Sequence, residues 1–162
     1  MTTVTDVARN AGPEDSPPSE PDDLLLERQL CFALSVASRS VVNSYRPVLQ
    51  ELDLTHPQYL VMLALWERSP RTVKSLSEDL LMESATLSPM LKRLEALGYI
   101  TRQRVEGNER ALAIELTPAG VELRERALSV PGTMMERLHL TREKVEELNR
   151  AMRALIDATT QN

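Results

Sequence analysis

Side chains able to meet a nucleic acid recur at helical spacing in Thr72–Leu116, TVKSLSEDLLMESATLSPMLKRLEALGYITRQRVEGNERALAIEL. Leu87, Leu91 and Leu94 fall at i, i+4 and i+7, which predicts one apolar stripe on a helix. At about 100° per residue, Ala85, Ser88, Lys92 and Ala96 lie on the opposite face. Small and hydroxyl side chains with a base on an exposed face suit entry into a DNA major groove. Arg102 and Arg104 share one face of the strand that follows, because strand side chains alternate. Gly107-Asn108 supplies the positive φ of a hairpin turn. Leu112, Ile114 and Leu116 alternate with Ala113 and Glu115, so the second strand has one buried face. Helix, turn, helix and β-wing is the order of a winged helix-turn-helix, and the chemistry it implies is DNA reading.

The remaining reactive side chains are few. The chain has one cysteine and two histidines. Cys31, His56 and His139 are far apart in sequence and do not make a metal site. On periodicity alone Cys31 is a buried structural thiol, the usual state of a lone helical cysteine. Tyr45 reads as core, His56 as an N-cap or exposed residue, and His139 as surface. A single cysteine excludes an intrachain disulfide and fits a reducing cytoplasm. No apolar run approaches the ~20 residues of a membrane span. The start of the chain has no basic segment followed by an apolar one, so no secretory signal is expected.

The net charge of −5 argues against DNA binding until its distribution is considered. Residues 1–30 hold seven of the 24 acids and two of the 19 bases. Beyond them acids and bases are equal in number, so any basic surface is local and the salt dependence of binding is modest. Four of the ten prolines lie in residues 1–22, which read as a disordered acidic tail.

Helices must position the reading stretch. Leu24 to about Leu52 reads as one long helix, capped by Asp22 or Asp23 and interrupted or kinked at Pro47. Thr55 or His56 caps the next, with Pro57 at N1, and Gln58–Glu67 is apolar enough to be central. Val73–Leu81 is the first helix of the pair. The second starts at Ser84 with Pro89 in its second turn, or at Ser88 with Pro89 at N1. Thr117-Pro118 starts a helix to about Ser129, broken by Pro131-Gly132, with a further turn at Met134–Leu138. Thr141 caps the last helix, where Val145, Leu148, Met152 and Leu155 form a heptad-like stripe. A small wing domain offers too little surface to cover both apolar ends, so a dimer built from both ends of the chain is expected.

The segment QLCFALSVASRSVVNSYRPVLQELDLTHPQYLVMLALWE (Gln29–Glu67) resembles the start of organic-hydroperoxide-resistance regulators, a branch of the MarR-type winged-helix repressors. MESATLSPMLKRLEALGYITR and NERALAIELTPAG resemble the recognition helix and wing of that family, and VPGT (130–133) recurs there. The resemblance covers about Leu24 to Ile156. It implies a mainly helical fold with a small β-wing, residues 23–162 forming one domain. Dimerisation helices would span 23–52 and 118–159, and the winged helix-turn-helix about 55–117. It also implies a cytoplasmic homodimer on a pseudo-palindromic double-stranded operator, with an organic hydroperoxide as inducer and no cofactor.

Residue by residue, the resemblance makes Cys31 the redox sensor and Tyr45 a hydrogen-bond partner of the sensor. His56 stands where a second tyrosine is usual. Ser84, Thr86, Ser88, Lys92 and Arg93 would meet the major groove or its phosphates, and Arg102, Arg104 and Arg110 would serve the wing. Cys31 and Tyr45 lie 14 residues apart, roughly 21 Å along an unbroken helix, so the thiol needs the other subunit's tyrosine. With His56 in place of tyrosine, peroxide sensitivity is expected to depend on pH near 6–7. Asn108-Glu109-Arg110 departs from the usual Asp-x-Arg of the wing, and Glu83 and Ala85 replace an Asp and a Gly. The one-cysteine pattern leaves the sulfenic acid to a small thiol, a cyclic sulfenamide or overoxidation. Three alternatives are a MarR-type regulator of a small apolar ligand with Cys31 inert, a thiol peroxidase, and a purely structural helical adaptor, which the wing disfavours. The second lacks the Pro-x-x-x-Thr-x-x-Cys pattern, since Leu24 stands where its proline would be. No enzymatic turnover is expected.

Overall fold

Apolar periodicity places most of the helices, and caps decide where they end. The structure, a computed structural model, describes residues 23–160 apart from the side chains of Glu109 and Arg110. The proposed acidic tail, residues 1–22, lies outside the described residues, as does Asp22 as a cap. Seven α-helices and three strands follow one another in the described chain. Its contacts group it into two units that meet between Ala37 and Ser38.

In the first unit the long helix begins later than the sequence predicts. Leu26–Arg28 forms a 3-10 turn, and α1 (Leu30–Gln50) starts after it. Asp23 caps neither. The Gln29 side-chain amide instead donates to the Leu25 carbonyl at 3.0 Å, tying the turn to the helix start.

In the second unit α1 runs through Pro47 to Gln50. Proline lacks an N–H for the Asn43 carbonyl, so one helical bond is lost. Burial of Leu49 in the core offsets that loss and keeps the last turn. Asp53 then takes a left-handed conformation, φ 56°, and α2 (His56–Glu67) begins. Thr55 and Gln58 form a reciprocal capping box at its start, with Pro57 in the first turn. Tyr59, Val61, Met62, Ala64 and Leu65 are buried as expected of a central helix, while Leu63 is exposed.

The strand β1 (Arg71–Thr72) was not anticipated, because two residues are too few to show alternation. It pairs with β3 (Asn108–Leu116), which pairs with β2 (Ile100–Val105), giving the antiparallel order β1-β3-β2. The hairpin turn sits one residue earlier than predicted. Val105 faces Asn108, so Glu106 and Gly107 make the turn and Asn108 opens β3. Gly107 takes φ 82°, which a residue without a Cβ adopts at no steric cost.

Helix α3 (Val73–Leu80) is capped by Thr72, whose hydroxyl accepts from the Ser75 N–H at 3.1 Å. It ends at Leu81 in the left-handed region. Helix α4 (Ser84–Ala96) takes the earlier of the two starts, with Pro89 inside it. Glu83 is its N-cap residue without a side-chain bond, so Ser84 is the first helical residue rather than a cap. Thr117 caps α5 (Pro118–Ala127), accepting from the Gly120 N–H and donating to the Gly98 carbonyl. Pro131-Gly132 does not break the chain as expected. Pro131 fits the first turn of α6 (Val130–Arg137), where a missing N–H leaves no helical bond unmade. His139 is exposed as predicted and turns the chain, φ 52°, into α7 (Arg142–Thr160).

The core lies between α2, α3, α4, α5 and the sheet. Val61, Met62, Leu65, Leu76, Leu87, Leu91, Leu94, Ile100, Ile114 and Leu123 are its fully buried side chains there. The terminal helices contribute little. Leu49 is the one buried residue of α1, and α7 has none.

Candidate DNA-reading face and thiol helix

Leu87, Leu91 and Leu94 seat α4 in the core, which turns the rest of the helix outward. Ser84, Thr86, Ser88, Lys92 and Arg93 are all exposed on it. Ser84, Ser88 and Lys92 stand one above another at intervals of four, and Thr86 and Arg93, seven apart, share a second exposed line further round the helix. The Ser88 hydroxyl donates to the Ser84 carbonyl at 2.9 Å, leaving its lone pairs free to accept. Among the described residues neither Lys92 nor Arg93 makes an ion pair, so both charges are available to a polyanion.

Ahead of α4, the Arg71 guanidinium locks α3 in place. It donates to the Ala64 carbonyl of α2 at 3.4 Å and to the Ser75 hydroxyl and carbonyl of α3, and it pairs with Asp79. Its side chain is 2 % exposed, so this is a buried cation whose donors are met on every side. Sequence reasoning missed Arg71 because no periodicity marks a lone arginine beside a proline.

The three wing arginines divide. The register sets Arg102 opposite Ile114 and Arg104 opposite Leu112, so both leave the sheet on the face that carries the buried Ile100 and Ile114. Arg102 is held there. Its Nε and Nη2 both donate to Glu95 Oε2 of α4, at 2.8 and 2.5 Å. That hydrogen bond is the first reason the Glu95 carboxyl lies below its usual range. Arg104 is exposed and makes no ion pair among the described residues. Arg110 belongs to β3, and its side chain lies outside the described residues. The shared parity of Arg102 with Ile100 was the available sign that Arg102 faces inward.

Cys31 is the second residue of α1, exposed and without a disulfide. Tyr45 and His56 come together, their rings edge to face with centroids 5.4 Å apart. Tyr59 continues the cluster 6.1 Å from Tyr45, and Trp66 lies 6.4 Å from Tyr59. Burial pushes the Tyr45 and Tyr59 phenols up and the His56 imidazole down, since each neutral form is the less costly to desolvate. A cleft of about 360 Å³ opens beside His56, lined by Val42, Arg46, Gln50, Leu54, Thr55 and Pro57. Among the described residues no cluster of three His, Cys, Asp or Glu could hold a metal. No described helix is long and apolar enough to cross a membrane.

This fold and these side chains define a winged-helix DNA-binding regulator. The family profile described as transcriptional regulator SarA/Rot matches residues 43–126. The organic hydroperoxide resistance transcriptional regulator of Bacillus subtilis strain 168 is 43 % identical over 86 % of this chain and 95 % of its own length. The structure of reduced AbfR bound to DNA superposes with a TM-score of 0.73 at 34 % identity, covering 84 % of this chain and 93 % of that one. The structure of disulfide-formed AbfR, a protein of Staphylococcus epidermidis, gives 0.61 at 36 % identity, covering 81 % and 92 %. The chain belongs to the MarR family of winged-helix transcriptional regulators.

Proposed function

We propose that the chain is a homodimeric repressor that releases its operator when an organic hydroperoxide oxidises Cys31. The observation that carries the reading is the exposure of Cys31 on a helix whose apolar side chains are also uncovered. Leu30, Phe32, Val36 and Val41 of α1 are exposed, as are Leu148, Met152 and Ile156 of α7. Such faces call for a partner. A second copy brought there covers thiol and helix together, through residues 23–52 and 118–159. On this reading the thiol meets the partner subunit's Tyr45 and His56, since Cys31 and Tyr45 lie 14 residues apart in sequence. The Bacillus relative is named for organic hydroperoxide resistance, and AbfR is described in reduced, disulfide and overoxidised forms.

The step is stoichiometric rather than catalytic. The Cys31 thiolate attacks the outer peroxide oxygen, the O–O bond breaks, and the alkoxide leaves as the alcohol after taking a proton. Sulfur is oxidised to sulfenic acid and the peroxide is reduced. The chain has no second cysteine to trap it. A small thiol closes a mixed disulfide and releases water.

In the dimer the outer faces of two α4 helices meet successive major grooves, about 34–36 Å apart, on a pseudo-palindromic operator in the cytoplasm. Ser84, Thr86, Ser88, Lys92 and Arg93 contact bases and phosphates, and Arg104 and Arg110 act from the wing. An oxidised thiol inside the dimer contact changes that spacing.

The test is a gel shift on the duplex upstream of the chain's own coding region, reduced and after cumene hydroperoxide. Wild type is expected to bind when reduced and to release on oxidation, while Cys31→Ser stays bound. Release of Cys31→Ser by hydroperoxide would end the sensor assignment.

A further inference from the structure

We propose that Arg102 is a positioning residue rather than a DNA contact: its ion pair with Glu95 sets the angle between the wing and the recognition helix. The inference rests on the reading of α4 and the wing as one DNA-contacting surface.

Three observations carry it. The register puts Arg102 on the inner face of the sheet, opposite the buried Ile114 and next to the buried Ile100. Its Nε and Nη2 converge on one oxygen of Glu95, a residue in the last turn of α4. The carboxylate therefore neutralises the guanidinium and fixes its direction. Arg104, two residues further along the same face, is exposed and unpaired among the described residues. Ile100 and Ile114, both buried, seat the base of the wing in the core. The Arg102–Glu95 pair lies on the rung of Ile114, and it joins the strand that bears Arg104 to the helix that bears Lys92 and Arg93. A strut there lets both groups reach one half-site together.

This role and a phosphate-contact role predict opposite results for one substitution. Glu95→Ala removes a negative charge from the DNA side and frees a guanidinium. If Arg102 were a phosphate contact, affinity would rise and the slope of log K against log salt would steepen by about 0.9 per subunit. If the pair is a strut, affinity falls about five- to tenfold and the slope does not steepen. Arg102→Gln is expected to cause the same fall with an unchanged slope. The charge swap E95R with R102E is expected to regain most of the loss.

The measurement is operator affinity of the full-length dimer at several salt concentrations, with thermal melting of each variant to show that the fold persists. Tighter binding by Glu95→Ala, or a shallower slope for Arg102→Gln, overturns the proposal. If the swapped pair fails to fold, the two single-variant slopes decide. Failure of wild type to bind the duplex would overturn the DNA reading itself, and the strut with it.

Discussion

The rings of Tyr45 and His56 meet edge to face at 5.4 Å, across the junction between α1 and α2. The imidazole is half-buried there, and burial lowers its pKa by desolvation. An unfolded chain holds His56 near its ordinary value of ~6.5. Between the lowered folded value and ~6.5 the unfolded state binds more protons, so stability rises with pH there. The contribution is complete above pH ~6.5 and is lost as pH falls through the window beneath it. Burial thus shifts the titration of His56 downward from the ordinary value on which the sequence expectation of 6–7 was based. Urea midpoints at pH 7.5 and 5.5 are expected to fall further for wild type than for His56→Gln. Equal falls would remove His56 from the account. Oxidation of Cys31 followed across the same window in wild type and His56→Tyr tests the coupling of His56 to the proposed sensor.

Gly120 sits where no side chain fits. A Cβ built there would lie 2.1 Å from the Tyr99 carbonyl oxygen, which is backbone and accepts the Thr117 N–H. The Gly120 carbonyl in turn accepts from Trp66 Nε1 at 2.8 Å, joining α5 to α2. Gly120→Ala is expected to destabilise the fold by about 1–3 kcal/mol, as overpacking does. Chemical denaturation measures it, and Trp66 fluorescence reports the loosened contact. A variant as stable as wild type would show that the α5 start yields freely.

Arg104 and Lys92 are exposed cations with no ion pair among the described residues. Each that meets a phosphate releases counterions on binding. Arg104→Ala and Lys92→Ala are each expected to weaken operator binding and to make the salt slope shallower by about 0.9 per subunit. Affinity measured from low to moderate salt checks this. A weakened complex with an unchanged slope would mean the side chain contacts a base or acts indirectly.

The winged helix-turn-helix was legible because its signals are local. Leu87, Leu91 and Leu94 repeat at helical spacing, Thr117-Pro118 starts a helix, and Leu112, Ile114 and Leu116 alternate. All three are borne out in the buried face of α4, the capped start of α5 and the inner face of β3. What was not legible depends on contacts distant in sequence. Arg71 gains its meaning from Ala64, Ser75 and Asp79, and Arg102 from Glu95. Alternation correctly paired Arg102 with Arg104 but carried no sign of which face was inside until Ile100 was placed. Proline misled in two places because its effect depends on position. Pro47 is tolerated near the end of α1, where one bond is lost, and Pro131 begins a helix rather than ending one.

The stripe of α7 is the clearest mismatch between sequence and burial. Val145 and Leu155 are half-buried, and Leu148, Met152 and Ile156 remain 40 %, 38 % and 43 % exposed. In one chain this face lies open to water, although each such side chain is worth about 1.5–3 kcal/mol when fully buried. In the proposed dimer a second α7, with α1 of the partner, would remove that area from water. Charged substitutions should then act on assembly and leave the subunit fold intact, because no α7 side chain belongs to the core. Leu148→Glu with Met152→Glu is expected to shift the protein from dimer to monomer in sedimentation. Far-UV circular dichroism should keep its helical signal. Operator binding should fall steeply, because a monomer holds one half-site and loses the linked second contact. A variant that stayed dimeric and bound DNA normally would move the dimer contact away from α7.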